Sequence, residues 1–583
     1  MSVSVGRARI PDPRALRSGG SATAPTGSSR SGSAALLPAA AVLLGVVVAI
    51  VAAVATGGIS IPHNDGWSYS RAAQVFARTG HVRLFNWNKM GLVGMFIPLG
   101  PLGASVTVQQ CFVAALAIVG LLAGYDVLRP MLGSRRAGLG TLVIALWPSF
   151  GLLATSFHTD IPAFAAITLT LAFGRRALDL CSPCRLYAAC LVGLWGATIR
   201  EQALAAPAAV LAAALLRPET RRALGLTRIL AVGVALMAGL GAFELWRRGV
   251  PGGGAPPFAN SILTTRLVTA QAGEAWLTIS LGVSPAVLLG SRPLRWSRPA
   301  RVAALLALCG CVASALANPP FLGNYVDRTG AYASAYLGSR PRIFPHLAWD
   351  LLIVLACVSG ALLAGLAVER VRGLRVEVSL FALLTLLGSA MEVGQGTALF
   401  DRYMLPLALP AVALALLDPI GLEAIGLEAI RPRLVRVAVS AAAGALMAGT
   451  ALLITISTLV FDSAVWNAAQ HIVDRGSASA GYVDAGLDWA GWHSTTGMGE
   501  SPAADAEFGI YRRDAFLSNH QQCYVVAASP QRDVGWTLVE TPRYRRYGLF
   551  GAAHLYVYRT AETPCHDGGG PSRRGSAGPR PIQ

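Results

Sequence analysis

Apolar runs of about twenty residues recur from residue 35 almost to residue 460, each closed by a short polar or basic interval. A run of that length is what the hydrocarbon core of a bilayer requires. Inside hydrocarbon every backbone N–H and C=O must be satisfied within its own segment, so the runs are expected to be helices. With the basic stretch before residue 35 placed in the cytoplasm, they read as thirteen spans. These are about 35–57, 103–125, 138–156, one ending at Arg175, 186–199, one ending at Arg217, 229–245, 273–291, 302–317, one ending at Arg370, one leaving near Glu392, one starting at Asp401, and 437–460. Every second interval is rich in arginine, as at Arg135 and Arg136, Arg221 and Arg222, Arg292 and Arg295, and Arg431 and Arg433. That alternation follows the positive-inside rule. It predicts a multi-pass protein of the inner (cytoplasmic) membrane with a cytoplasmic N-terminus. A signal peptide ending at Ala53-Val54-Ala55 is the other reading of the first run; its length and the parity of the later loops favour an uncleaved span.

Past residue 460 the pattern changes. Helical spacing at Val465, Ala469 and Ile472 is followed by short alternating runs at 481–483, 523–528, 536–540 and 554–558. These predict a small mixed α/β domain over 461–562 on the extracytoplasmic side. Residues 1–34 and 563–583, rich in Gly, Ser, Pro and Arg, are expected to be disordered tails. The expected whole is an α-helical polytopic protein carrying a small α/β domain, with polar outer loops at 60–89 and 318–350.

Charge changes the picture little. Only 13% of residues are charged, against about 25% in an average soluble domain, so a soluble surface of this size is excluded. A net charge of +18 raises nucleic acid as a partner. Yet Lys89 is the only lysine, and the arginines sit in clusters between spans, where the partner is the lipid bilayer and not nucleic acid.

The candidate chemistry gathers on the outer side. The first outer loop contains His63-Asn64-Asp65-Gly66-Trp67-Ser68-Tyr69 and leads into an amphipathic helix suited to the interface plane. A second turn reads Thr155-Ser156-Phe157-His158-Thr159-Asp160-Ile161-Pro162. Two carboxylates delivered to the membrane surface, Asp65 and Asp160, suit general-base chemistry on a hydroxyl or amine. Arg200 and Arg402 lie at the same level, and Lys89 follows the amphipathic helix; all three suit a phosphate. Plainer roles compete: Asp65 and Asp160 both precede helices they can cap, Arg200 adjoins Glu201, and Arg402 adjoins Asp401. His63 and His158 beside the two acids lack a diagnostic metal-ligand spacing, so no metal or other cofactor is expected. Cys523 and Cys565 fall in the outer domain, where a disulfide is permitted.

At these residues the chain resembles the GT-C glycosyltransferases that use polyprenyl-phosphate sugars, such as protein O-mannosyltransferases and the aminoarabinose transferase of lipid A. In that family an acidic residue opens the first large outer loop and a second follows the third span; Asp65 and Asp160 match these positions. Phe400-Asp401-Arg402-Tyr403-Met404-Leu405-Pro406 resembles a late-span element of the same proteins. Gly66 stands where many relatives carry a second adjacent acid, and the domain after 460 has no counterpart that can be assigned. The resemblance implies an inverting transfer of sugar from a polyprenyl-phosphate donor to a glycan, lipid or protein acceptor. It makes Asp65 the general base, Asp160 its or the acceptor's orienting group, and Lys89, Arg200 and Arg402 the donor-phosphate ligands. Loop 318–350, with Tyr325, Asp327, Arg328, Tyr332 and Tyr336, would cover the site. A non-catalytic transporter or envelope scaffold is the rival reading. A transporter, however, places its ionisable residues near the midplane, on related halves.

Overall fold

The computed structural model describes residues 32–85, 91–251, 265–332, 335–394, 398–417, 430–493, 523–532, 535–548 and 551–560. Eight helices among them are long and apolar enough to cross a bilayer, and two bent pairs raise the number to ten. In chain order, α1 (Ala35–Thr56) is followed by the amphipathic α2 (Gly66–Thr79) and by α3 (Val106–Leu132). Then come α4 (Asp160–Asp179), α5 (Pro183–Ile199), α6 (Leu226–Arg248), α7 (Arg298–Ala317), α8 (His346–Gly373) and α9 (Val376–Gly394). The bent pairs are Glu201–Leu216 with Pro218–Leu224, at 97°, and Thr269–Gly282 with Ser284–Gly290, at 71°. Each breaks at a proline in the first turn of the second piece, Pro218 and Pro285, since proline offers no N–H to the preceding turn.

Three of the thirteen expected spans are shorter helical runs. Ser134–Ala145 and Phe150–Ala154 are separated at Pro148, α5 falls below full spanning length, and a 3₁₀ turn, Asp401–Leu407, precedes Ala408–Leu416. Large apolar side chains such as Val51, Val234, Leu306 and Met391 stay exposed on the helices. This is the surface that lipid covers, and the chain is a multi-pass membrane protein.

The last long helix, α10 (Ile430–Asp474), runs for 45 residues without a break. At 1.5 Å per residue it is about 68 Å long, twice the hydrocarbon thickness of about 30 Å. The helix expected from residue 462 is therefore the continuation of the last span out of the membrane. After it come β1 (Val483–Asp484), the short helix α11 (Leu487–His493), β2 (Tyr524–Ala527), β3 (Thr537–Glu540), β4 (Arg543–Arg545), β5 (Ala552–His554) and β6 (Tyr556–Arg559). The main sheet runs β1-β2-β6-β3, with β1 parallel to β2 and the other pairs antiparallel. The hairpin β4–β5 stands apart. Cys523, at the start of β2, is disulfide-bonded; Cys565 lies outside the described residues.

Three packings position the functional region. Gly491 of α11 lies flush on the buried Trp67 of α2, where an added Cβ would come within 2.2 Å of the indole ring. Arg71 of α2 donates to the Gly491 carbonyl at 2.8 Å. The loop before α8 pairs with the end of β2, Ala528 N–H donating to the Leu337 carbonyl at 2.8 Å. Finally, Gln110 on α3 donates to the Ile61 carbonyl at 2.7 Å and tethers the chain just ahead of His63.

Candidate functional site

Asp65 is set by a tight turn. The His63 carbonyl accepts the Gly66 N–H at 2.9 Å, and Asn64 takes the left-handed conformation, φ 45°, that asparagine tolerates better than most residues. The Asp65 side chain makes no capping bond to α2. It accepts instead from Arg402 Nη2 at 2.9 Å, across 337 residues of sequence. Asp160, the first residue of α4, is tied into the same cluster. Its Oδ1 accepts from Arg200 Nη1 at 2.7 Å, while its Oδ2 lies 4.0 Å from Arg402 Nε. Both of those last atoms are buried and without a hydrogen-bond partner among the described residues.

The four groups predicted to lie at one level therefore meet, in the order Asp65, Arg402, Asp160, Arg200. The local pairings do not form: Arg200 bonds Asp160 and Thr159 rather than Glu201, and Asp401 is occupied elsewhere. Its carboxylate accepts the backbone N–H groups of Tyr325 (3.0 Å), Val326 (2.5 Å) and Arg402 (2.7 Å). This pins the outer loop to the turn that carries Arg402. Both guanidiniums pack on Tyr403, Arg200 at 4.0 Å and Arg402 at 5.4 Å from the ring centre. Aromatic faces attract cations, and Arg more often than Lys.

His158 completes the cluster. Its Nε2 faces the His63 carbonyl at 3.0 Å, an acceptor, so that nitrogen carries the proton; Nδ1 then accepts from Arg402 Nη1 at 3.2 Å. Burial, and after it the Arg402 charge, pushes the ring's pKa down to about 4, so it is neutral at pH 7. Tyr332 stacks parallel to His158, and its hydroxyl donates to Tyr325 at 2.6 Å. Burial raises the pKa of both phenols and that of Tyr69 beside them.

The remaining expected residues divide. Lys89 lies outside the described residues. Asp327 accepts from the Thr329 N–H and hydroxyl at 2.7 and 2.6 Å and serves its own turn. Arg328 has two buried guanidinium nitrogens, Nε and Nη2, with no partner among the described residues. Tyr332, stacked on His158, and Tyr325, bonded to Tyr332, are both buried beside the cluster. Among the described residues no group of three or more His, Cys, Asp or Glu is arranged to hold a metal ion. Sequence reasoning passed over Tyr403 and Asp401 as site-forming residues, although both lie inside the late-span motif.

No family model matches the chain, and no curated protein matches it. Among solved structures it is similar to ArnT from Cupriavidus metallidurans in the apo state, at 14% identity and a TM-score of 0.44, covering 90% of this chain and 97% of that one. It is similar also to ArnT from the same organism bound to undecaprenyl phosphate, at 13% identity and a TM-score of 0.44, covering 91% of this chain and 98% of that one.

Proposed function

We infer that this protein is a GT-C-type membrane glycosyltransferase, moving a sugar from a polyprenyl-phosphate donor to an envelope glycan, lipid or protein acceptor on the extracytoplasmic face. The observation that carries the reading is the meeting of Asp65 and Asp160 across Arg402, with Asp160 Oδ2 and Arg402 Nε facing each other at 4.0 Å and hydrogen-bonded to nothing among the described residues. Those atoms leave donor and acceptor capacity at the centre of the cluster for a ligand. In the reaction the acceptor oxygen forms a bond to the anomeric carbon from the face opposite the phosphate. The bond from that carbon to the phosphate oxygen breaks, and the electron pair leaves with the phosphate. Asp65 takes the acceptor's proton; Asp160, held by Arg200, orients the acceptor. Arg402 and Arg200 stabilise the charge that develops on the departing phosphate.

As it stands, the cluster has two carboxylates and two guanidiniums and is electrically closed. A donor phosphate gains Arg402 only by competing with a carboxylate. Asp65 is the one to give way, because its side chain is 14% exposed against 3% for Asp160, and Asp160 has Arg200 as well. Donor binding thus frees the base that the reaction needs.

The test is transfer of radiolabelled sugar from polyprenyl-phosphate donors in membranes containing the protein, with Asp65→Asn and Asp160→Asn at equal expression. Loss of the base is expected to lower transfer by about 10²–10⁴. Variants that transfer as fast as the wild type would refute the catalytic reading and leave a scaffold or transporter.

A further inference from the structure

Behind Asp65 lies a second buried polar group that the reaction above does not use. His63 is wholly buried. Its Nε2 faces the Gly58 carbonyl at 3.0 Å, and its Nδ1 faces Asp462 Oδ2, on α10, at 2.7 Å. A carbonyl only accepts, and an ionised carboxylate only accepts, whereas a neutral imidazole has a single N–H. One proton more than neutral histidine plus carboxylate is therefore required. Tyr336 cannot supply it, because its hydroxyl proton is already donated to Asp462 Oδ1 at 2.7 Å.

The extra proton has two possible homes, and two facts choose between them. Histidine is ordinarily the stronger base, with a pKa of about 6.5 against about 3.9 for aspartate. The Tyr336 hydrogen bond stabilises Asp462 as a carboxylate.

We propose that His63 is held as an imidazolium by Asp462, and that this pair is a positioning device for Asp65. The connection runs through the His63 backbone. The same residue's carbonyl accepts the Gly66 N–H at 2.9 Å, closing the turn that aims Asp65, and also the His158 Nε2 proton at 3.0 Å. His158 in turn accepts from Arg402, whose other nitrogen bonds Asp65. Clamping the His63 ring fixes the carbonyl, and with it both supports of the base. Asp462 comes from the last long helix and Tyr336 from the outer loop, so the pair reports to the site whether both are docked. The proposal rests on the glycosyl-transfer reading for the consequence, and on hydrogen-bond geometry with the ordinary basicity of histidine for the imidazolium.

The experiment uses the full chain in lipid nanodiscs, with polyprenyl-phosphate sugar donors and a panel of glycan, lipid and protein acceptors. His63→Gln and Asp462→Asn are each expected to lower kcat at least about tenfold, with the donor KM within about twofold, and the double variant to be no slower than the worse single one. In parallel, ¹⁵N spectra of histidine-labelled protein at pH 7, with His63→Gln identifying the signal, are expected to show both ring nitrogens of His63 protonated. Should Asp462→Asn fail to fold, Tyr336→Phe takes its place, with an expected kcat loss of about two- to fivefold. A neutral His63 in the wild type overturns the proposal. So does unimpaired kcat in the folded Asp462 variant or in its Tyr336→Phe substitute, or losses that multiply in the double variant. A wild type that transfers nothing refutes the glycosyl-transfer reading itself, and the positioning role falls with it.

Discussion

Replacing Arg402 by methionine keeps the length and apolar stem of the side chain and deletes its charge. Three contacts go: the 2.9 Å bond to Asp65, the 3.2 Å bond to His158 and the 4.0 Å approach to Asp160. Asp160 keeps Arg200, so the uncompensated charge falls on Asp65. A pair of unit charges about 4 Å apart at an effective dielectric of about 20 is worth roughly 4 kcal/mol before desolvation. Stripping one partner from a buried pair costs about 3–5 kcal/mol. The Arg402 side chain is 7% exposed and that of Asp65 14%, so water recovers part of the loss and the low end applies, about 3 kcal/mol. Asp65→Asn alone still offers an oxygen to Arg402 and should cost only about 1–2 kcal/mol. The double variant removes both charges, so its cost should fall short of the sum by about 1.5 kcal/mol or more. The assay is reversible unfolding in mixed micelles for the wild type and the three variants. A cost below about 1 kcal/mol for Arg402→Met, or additivity within about 0.5 kcal/mol, would refute the picture of a shared, water-poor charge cluster.

Other consequences follow from the same geometry. His158 titrates near 4 when folded and near 6.5 when unfolded, so the unfolded chain takes up the proton first. Stability contributed by neutral His158 is complete above pH about 6.5 and falls by about 3 kcal/mol as pH drops toward 4. His158→Gln, which keeps a donor and an acceptor, should lack that slope in unfolding measured against pH. Gly491→Ala drives a methyl into the Trp67 ring; a loss of about 1–3 kcal/mol is expected, with Trp fluorescence reporting the displacement and an unchanged melting curve refuting it. If donor phosphate competes with Asp65 for Arg402, Asp65→Asn should bind polyprenyl phosphate about fivefold or more tightly, a gain of about 1 kcal/mol, while losing transfer. Equal or weaker binding in a direct assay would remove the competition from the mechanism.

Much of the fold was legible because the bilayer makes strong demands. Ten of the thirteen expected spans coincide with helices or bent pairs of spanning length; the shorter ones lie at proline breaks or fall short of full spanning length. The strands were readable from alternation at Cys523–Ala528 and His554–Tyr558, whereas β4, Arg543-Tyr544-Arg545, hides among charges. α10 runs unbroken through residue 460, where the hydropathy changes, because a helix outside hydrocarbon no longer needs apolar residues to remain a helix. That Asp65, Asp160, Arg200 and Arg402 come together was readable for a similar reason, since the alternation of loops leads one to expect all four at one level. Their partners were not. A sequence offers neighbours first, so Arg402 is paired with Asp401 and Asp65 with its own helix end. The structure gives Asp401 to the backbone of Tyr325 and Val326, a use no spacing announces.

That exchange of partners has a physical logic. Asp65 reaches Arg402 across 337 residues, His158 reaches Arg402 across 244, and His63 reaches Asp462 across 399. Each bond is made between pieces of chain that have no local reason to meet. The charges are then paired only when the helices, the outer loop and the C-terminal segment are all packed. Burying a charge is costly unless it is paired, so misdocking any one piece leaves an unpaired charge in a water-poor place. The cluster therefore penalises partial assembly, and the groups that chemistry would use are formed only in the assembled protein. Satisfying Asp65 locally, with a helix cap, would have given the same turn at lower cost, but the carboxylate would then stand apart from Arg402 and from any phosphate that Arg402 holds.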